Sequence, residues 1–140
     1  MILSYFVAPL SVKAIEPAKQ FAESEQAKQT EQAKPSKVVV YKEIDGYTLS
    51  VHIFNPADHK ATDKTPAIVF FHGGGWRQGH PSHFFRQSQY LAKRGMVAIS
   101  AQYRVNNING TSPKESVMDA KSAMRWVREH AKTLGIDPNM

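Results

Sequence analysis

The sequence predicts an α/β fold in which an antiparallel hairpin leads into a strand, a helix, a second strand and a second helix. The dipeptide Asp45-Gly46 is a hairpin-turn signal between two β-rich runs. Residues 67–71 form an uninterrupted apolar run, which is typical of a parallel strand covered on both faces. Ser112 followed by Pro113 has the residue types of a helix start. A chain of 140 residues is long enough for one domain with a hydrophobic core.

The hairpin is the first predicted element. Residues 38–41 and 47–54 are rich in β-branched and aromatic side chains and flank the turn signal. Leu49, Val51 and Ile53 alternate with the residues between them, which indicates a strand with one buried face.

The predicted parallel part follows a polar loop. After the strand at 67–71, residues 82–94 have the composition of a helix that ends before Gly95. The apolar run 96–100 then predicts a second buried strand.

The last helix has the clearest start signal of the chain. Ser112 and Glu115 have the spacing of a capping box around Pro113, and Gly135 predicts the end of the helix. We expect one apolar stripe along this helix, formed by Val117, Ala120, Met124, Val127, Ala131 and Leu134.

The N-terminal third predicts two segments ahead of the domain. Residues 1–14 are mostly apolar, too short for a membrane span, and end in a small-residue pattern, which favours a signal peptide. Residues 15–36 are rich in Ala, Gln, Lys and Glu and predict a low-complexity linker, with a partial domain at 37–140. We therefore expect a secreted or periplasmic protein, and a cytoplasmic one if the signal is not used.

The composition argues against several classes of function. The net charge of +6 comes from basic residues scattered after residue 36, and the only adjacent pair is Lys93-Arg94, so we expect no nucleic-acid partner. The chain has no cysteine, and the pair His80 and His83 has no acidic partner at ligand spacing. We expect surface or pocket-rim histidines there, no metal site and no cofactor, and the sequence does not indicate an oligomeric state.

The run from His72 through three glycines to Trp76 directly follows the apolar strand. Consecutive glycines cost backbone entropy, but they leave N–H groups that no Cβ shields from a ligand. Such groups stabilise the oxyanion of acyl transfer. A phosphate-binding loop is the rival interpretation, and it is disfavoured because Gly79 is followed by His80 where a P-loop needs lysine. Gln78 likewise replaces the last glycine of a dinucleotide fingerprint.

A strand, this His72 loop, a helix, a strand and then Tyr103-Arg104 together resemble an α/β-hydrolase. More narrowly, residues 38–140 are similar to HGGG-type carboxylesterases and lipases of the hormone-sensitive-lipase-like and feruloyl/acetyl-xylan-esterase-like groups. The resemblance implies an ester substrate, either a small molecule or one linked to a polysaccharide.

The resemblance also implies a role for each residue of the loop. The N–H groups of Gly74 and Gly75 correspond to the oxyanion-hole donors. Gly73 corresponds to the residue that makes the turn, and His72 to a side chain that braces the loop. Trp76 corresponds to a pocket residue that binds substrate, with core packing as the alternative.

Asp119 is an acidic residue that precedes the expected place of the triad acid. In this fold the triad follows the order Ser, Asp or Glu, His. We therefore expect Asp119 to make a structural hydrogen bond, towards Arg104.

The nucleophile motif G-x-S-x-G is absent from the sequence. Only Gly75 and Gly79 are four residues apart, and Arg77 lies between them. The resemblance therefore predicts the N-terminal part of an incomplete α/β-hydrolase sheet, with the serine, acid and histidine of the triad after Met140, and a strand 67–71 that has an exposed apolar edge. Two alternatives stay open: a peptidase or amidase of the same fold, and a non-catalytic binding or interaction protein on a hydrolase scaffold.

Overall fold

The computed structural model describes residues 33–139, so the predicted signal peptide and residues 15–32 of the predicted linker lie outside the described residues. The described chain forms a four-stranded sheet with helices. The strands are β1 (Lys37–Ile44), β2 (Tyr47–Phe54), β3 (Ala67–Phe71) and β4 (Val97–Ala101). The helices are a 3₁₀ helix (Pro81–Phe84), α1 (Phe85–Ala92), α2 (Asn106–Asn109), α3 (Pro113–Glu129) and α4 (Ala131–Leu134). None of these helices is both long and apolar enough to cross a membrane.

The sheet has the order β1-β2-β4-β3, which confirms the predicted α/β class. β1 pairs with β2 and β2 with β4 in antiparallel fashion, whereas β3 and β4 are parallel. The hairpin turn is the predicted one. Asp45 and Gly46 have φ of 52° and 76°, as the two central residues of a type I′ turn require.

The inner face of β2 is also as predicted. Leu49, Val51 and Ile53 are buried. Phe54 is buried too, because its ring meets the ring of Phe85 on α1 edge-on, with centroids 5.2 Å apart. The alternation therefore ends at the last residue of the strand, where helix α1 covers the opposite face.

β3 is parallel as predicted, but its five residues are only half-buried. It lies at the edge of the described sheet, whereas β4, which has a strand on each side, is buried throughout. An apolar run thus predicts that both segments are strands, but it does not show which of them lies at the edge of the sheet and which in its centre.

The helix predicted at 82–94 is divided in two. His80 caps the 3₁₀ helix, since its Nδ1 accepts a hydrogen bond from the backbone N–H of Ser82 at 3.2 Å. α1 follows, and Gly95 takes the predicted left-handed conformation with φ of 86°.

Helix α3 begins as predicted, with both hydrogen bonds of the capping box between Ser112 and Glu115. It ends at Glu129 with His130 as its C-cap, and α4 follows from Ala131 to Leu134. Gly135 caps α4 with a φ of 64°, which confirms its predicted C-terminal position.

The predicted apolar stripe is wrong over the first turns of α3. Val117 is 44% exposed, and the inward positions are taken by Ser116 and Asp119 instead. Both polar side chains have partners: the Ser116 hydroxyl donates to the carbonyl of Arg104 at 2.7 Å, and the Asp119 carboxylate binds the Arg104 guanidinium. A buried polar group is tolerated when it is hydrogen-bonded.

The packed part of the chain already includes Ala33, although we expected it to begin at residue 37. Ala33 is buried in a cluster with Phe54, Ala92 and Ala98. The Ser36 N–H donates to the backbone of β2 at 2.7 Å. The last four residues of the predicted linker are therefore held on the domain.

Candidate active site

Two segments that contain predicted site residues meet where the parallel strands of the sheet end, which we call its carboxyl edge. The glycine loop follows β3, and Tyr103-Arg104 follows β4. Because β3 and β4 are parallel neighbours, their carboxyl ends lie side by side. Open α/β sheets bind their ligands at this edge.

The glycine loop contains a tight turn from Gly74 to Arg77. The N–H of Arg77 donates to the carbonyl of Gly74 at 3.1 Å, and the two central residues, Gly75 and Trp76, have φ of 61° and 60°. Gly73 lies before this turn and has no positive φ, so the expectation that Gly73 makes the turn is wrong. A left-handed φ is uncommon for a residue other than glycine, so the backbone of Trp76 has an unusual conformation in this turn.

Two glycines are required because other atoms approach them closely. A Cβ on Gly74 would overlap the carbonyl oxygen of Gln78, and a Cβ on Gly79 would overlap the ring of His72. Neither Gly73 nor Gly75 has an atom in such a position. The loop therefore folds back on itself through Gly74 and Gly79.

The backbone donors of the loop are the feature that bears on chemistry. Within residues 33–139, the N–H groups of Gly74 and Gly75 donate no hydrogen bond, and both residues are exposed. Two adjacent free donors at the carboxyl edge of a sheet can bind an oxyanion or another anionic oxygen.

His72 lies beneath the loop and is 97% buried, with only 3% exposure. Its Nδ1–H donates to the carbonyl of Gly73 at 3.0 Å, and its ring stacks on Tyr103 with centroids 4.1 Å apart. The Tyr103 hydroxyl donates to the carbonyl of His72. Burial lowers the pKa of His72, although the bond to Gly73 opposes that shift. These contacts are those of a residue that braces the loop.

Trp76 is 48% exposed, so the alternative of core packing does not describe it. Its carbonyl accepts a hydrogen bond from the N–H of Asn106 at 2.9 Å, which joins the loop to the start of α2. Trp76, Arg77, Asn106 and Thr111 line a cleft of about 370 Å³, which we name the Trp76 cleft.

The expected hydrogen bond of Asp119 to Arg104 is confirmed. Arg104 Nε and Nη2 donate to the two carboxylate oxygens at 2.8 and 3.2 Å. Lys42 Nζ is 2.6 Å from the same carboxylate, and Arg104 Nη1 is 2.7 Å from Asp45 in the hairpin turn. Burial by itself would raise the pKa of Asp119, but the bonds from Arg104 and Lys42 outweigh it and hold that pKa below its ordinary value.

The histidine pair predicted to lie on the surface is indeed exposed. His80 caps the 3₁₀ helix, and His83 meets His72 edge-on, with centroids 6.1 Å apart. Across residues 33–139, no group of three or more His, Cys, Asp or Glu side chains is arranged to hold a metal ion.

The sequence reasoning missed the roles of Lys42 and Asp45. Both lie on the hairpin, far from Arg104 and Asp119 in the chain, and no local pattern marks them as partners of a buried charge. The Tyr103 hydroxyl was also missed, although its position beside Arg104 was a usable signal.

Comparison with known proteins identifies the family. The model of the BD-FAE family matches residues 51–140, which is more than half of the chain. The chain belongs to the BD-FAE family. The expected likeness to α/β-hydrolase carboxylesterases is thereby confirmed.

This BD-FAE chain is also similar to a solved esterase. A thermophilic esterase of Thermogutta terrifontis is 51% identical, with a TM-score of 0.72 over 73% of this chain and 36% of that one. The same esterase has been solved with butyrate bound.

Two curated relatives match a similar part of the BD-FAE chain. Probable carboxylesterase 4 of Arabidopsis thaliana is 33% identical over 69% of this chain and 26% of its own length. The neuroligin-like protein glit-1 of Caenorhabditis elegans is 32% identical over 68% of this chain and 14% of its own length. The chain thus spans about a quarter or less of each of these two relatives.

Proposed function

We propose that this chain provides the oxyanion-hole part of a serine carboxylic-ester hydrolase. The observation that carries the proposal is the pair of free N–H groups on Gly74 and Gly75, at the carboxyl edge of the parallel strands. Membership of the BD-FAE family and the likeness to carboxylesterases support it.

The proposed chemistry is acyl transfer. A serine hydroxyl attacks the ester carbonyl carbon, the carbonyl oxygen takes the negative charge, and a base accepts the serine proton. The N–H groups of Gly74 and Gly75 then donate to that oxygen, and each such donor is worth about 3 kcal/mol in the transition state. The 140 residues contain no G-x-S-x-G, so we propose that the serine, the acid and the histidine come from sequence beyond them.

His72 and Tyr103 keep the donors in place in this proposal. The Tyr103 hydroxyl and the stacked rings fix the backbone of His72, and the His72 ring fixes the carbonyl of Gly73. A donor that is already positioned costs no reorganisation when the charge develops.

The proposed substrate is a carboxylic ester, either a small molecule or one linked to a polysaccharide. The Trp76 cleft adjoins the proposed oxyanion hole and offers the indole as a binding surface. The similar esterase of T. terrifontis binds butyrate, and we propose that a small acyl group likewise lies against the Gly74-Gly75 turn.

The test requires a complete catalytic machinery around this loop. Residues 33–140 would replace the matching segment of the T. terrifontis esterase, and kcat would be measured with p-nitrophenyl butyrate for the chimera and its Gly75→Ala variant. Alanine at φ of 61° strains the turn and displaces the donor. A displacement of about 1 Å would lower kcat about a hundredfold.

Gly95→Ala is the matched control for that variant. Gly95 also has a positive φ and open space around it, but it precedes β4 at the opposite edge of the sheet. We expect the control to keep kcat within about twofold, since local strain alone acts on stability. Equal loss of kcat in both variants, or in neither, would contradict the proposed role.

We further propose export of the protein, on the basis of the apolar residues 1–14. Expression with the native N terminus, followed by mass spectrometry of the medium and the cell fraction, tests this. A secreted product that begins near residue 15 supports export, and an intact cytoplasmic product contradicts it.

A further inference from the structure

The net charge of the chain originates in the segment that contains the glycine loop. Between residues 72 and 114 there are six Lys or Arg residues and no Asp or Glu, whereas the rest of the chain has twelve of each sign. The formal charge of +6 therefore belongs to this segment. The six residues are Arg77, Arg86, Lys93, Arg94, Arg104 and Lys114.

Three of these six charges are either paired within the fold or distant from the loop along the chain. Arg104 is buried and bound to Asp119 and Asp45. Lys93 and Arg94 follow α1, and the Arg94 guanidinium lies 3.5 Å from the centroid of the Tyr90 ring.

Arg77 differs, because it is exposed and belongs to the Gly74–Arg77 turn itself. Its backbone is fixed at both ends: its N–H donates to Gly74 and its carbonyl accepts from Asn107 at 2.9 Å. Its guanidinium, in contrast, forms no hydrogen bond or ion pair with any described residue. A fixed backbone that carries an unpaired cation is a suitable place to bind an anion.

The Trp76 cleft surrounds this cation with groups that suit a polar ring. The half-exposed indole of Trp76 forms one wall, and no acidic residue lines the cleft. The nearest carboxylate in the sequence, Glu115, already accepts two hydrogen bonds from Ser112.

We propose that the Trp76 cleft is a subsite for a ring that carries a carboxylate, on the acyl or alcohol side of the ester. The Trp76 indole lies against the ring and the Arg77 guanidinium binds the carboxylate. Such a substrate keeps a free carboxylate on the ring and forms its ester through another group, as in a uronic acid residue acylated on a ring hydroxyl or an aryl ring that carries a second, free carboxyl group. That the ligand is an ester rests on the proposed function. The predicted binding of the ring and its carboxylate does not require a nucleophile.

Each part of this ligand is complementary to one feature of the cleft. An aromatic face packs well against a sugar or aryl ring, because it gives a large contact area at a low entropic cost. A guanidinium donates two parallel hydrogen bonds to a carboxylate. None of the described residues that line the cleft is acidic, so its walls present no like charge to an anion.

The experiment measures binding directly on the full chain. The sequence has two tryptophans, so a Trp126→Phe variant leaves Trp76 as the only one, and phenylalanine retains a ring beside His130. Fluorescence excited at the red edge of the indole band is titrated with phenyl β-D-glucuronide and with phenyl β-D-glucoside, which differ in the carboxylate alone. We expect the glucuronide to bind about tenfold more tightly at low salt, and the preference to fall towards about twofold at 1 M salt because an exposed pair is screened.

The charge is assigned to its residue by Arg77→Gln in the same background. We expect this variant to bind both ligands with the affinity of the glucoside and to keep its melting temperature, because the Arg77 side chain has no partner within residues 33–139. Arg125→Gln, an exposed arginine on α3, is the matched control and keeps the full preference. Equal affinity for the two ligands, no quenching by either, or a preference that survives Arg77→Gln would each overturn the assignment.

The two proposals fail separately. If the oxyanion-hole proposal is wrong, Gly75→Ala leaves kcat of the chimera unchanged, while the preference for the glucuronide over the glucoside remains. A failure of the subsite would appear as equal affinities in the titration, with the effect of Gly75→Ala on kcat unaltered.

Discussion

Replacing Asp119 by alanine should destabilise the protein more than any other single substitution that we consider. The carboxylate is fully buried and has two cationic partners, Arg104 and Lys42. Alanine would leave the buried Arg104 guanidinium without its main counter-charge. A charge stranded in this way is costly, whether or not the intact pair is itself stabilising.

The magnitude follows from the bonds that are lost. The shortest two join Asp119 to Arg104 Nε at 2.8 Å and to Lys42 Nζ at 2.6 Å. A hydrogen bond to a charged group contributes about 1.5–3 kcal/mol, and breaking a buried ion pair costs about 3–5 kcal/mol. We therefore expect the free energy of unfolding to fall by about 3–5 kcal/mol, a large share of the roughly 5–15 kcal/mol of an ordinary domain.

Urea unfolding followed by far-UV circular dichroism measures this loss. Asp119→Asn is the milder companion variant, because it keeps the shape and one acceptor oxygen. Glu129→Ala, at the exposed C-terminal end of the same helix, is the control, and it should change stability by about 0.5 kcal/mol or less.

The pH dependence gives a second test of the same reasoning. Because the pKa of Asp119 is lowered on folding, its contribution to stability is full above the ordinary carboxyl pKa and is lost as the pH falls through the lowered value. The gap between the wild type and Asp119→Asn should therefore narrow below about pH 4. A loss under about 1 kcal/mol in Asp119→Ala, or a gap that does not narrow in acid, would refute the role of a buried counter-charge.

The remaining predictions concern the loop and its supports. Gly74→Ala should lower the melting temperature clearly more than Gly73→Ala in thermal unfolding, because only the first Cβ overlaps a carbonyl oxygen. Tyr103→Phe should cost about 1 kcal/mol in urea unfolding, the worth of its one hydrogen bond. Since burial lowers the pKa of His72, stability should fall as the pH drops through the ordinary histidine value near about 6.5. The urea midpoint should depend less on pH in His72→Gln, and part of the dependence should remain because burial also lowers the pKa of His52. Asp45→Asn should cost at most about 1 kcal/mol by the same assay, because this partner of the cluster is mostly exposed and asparagine tolerates the left-handed φ of 52°.

Local patterns in the sequence were sufficient to predict the strands and helices of the fold. Asp45-Gly46 requires a positive φ at two successive residues, and a two-residue hairpin is the structure that uses both. The capping box at Ser112 and Glu115 is equally local, since its two hydrogen bonds span three residues. Such signals are read correctly because everything that decides them lies within one short segment.

Features decided by distant contacts could not be predicted in the same way. The inward face of α3 depends on Ser116 and Asp119, and hydropathy assigns these polar residues to the surface. Their burial requires Arg104, which lies in the loop after β4. The position of the turn in the glycine loop was predicted one residue too early for a related reason. Gly74 must be glycine because the carbonyl of Gln78 lies against it, and composition alone does not show which of the three glycines has such a neighbour.

These distant contacts form one continuous path to the proposed oxyanion hole. Asp119 holds Arg104 against the hairpin and α3, and Arg104 is joined by a peptide bond to Tyr103. Tyr103 in turn fixes His72 by its hydroxyl and its ring, and His72 bears the glycine loop. In the proposed function Asp119 is a positioning residue and not one of the reacting groups, although it is an acidic residue in a hydrolase-like fold. Its effect on catalysis would be exerted through the position of the Gly74-Gly75 donors, so that Asp119→Asn in the esterase chimera should lower kcat while leaving its dependence on pH above about 6 unchanged.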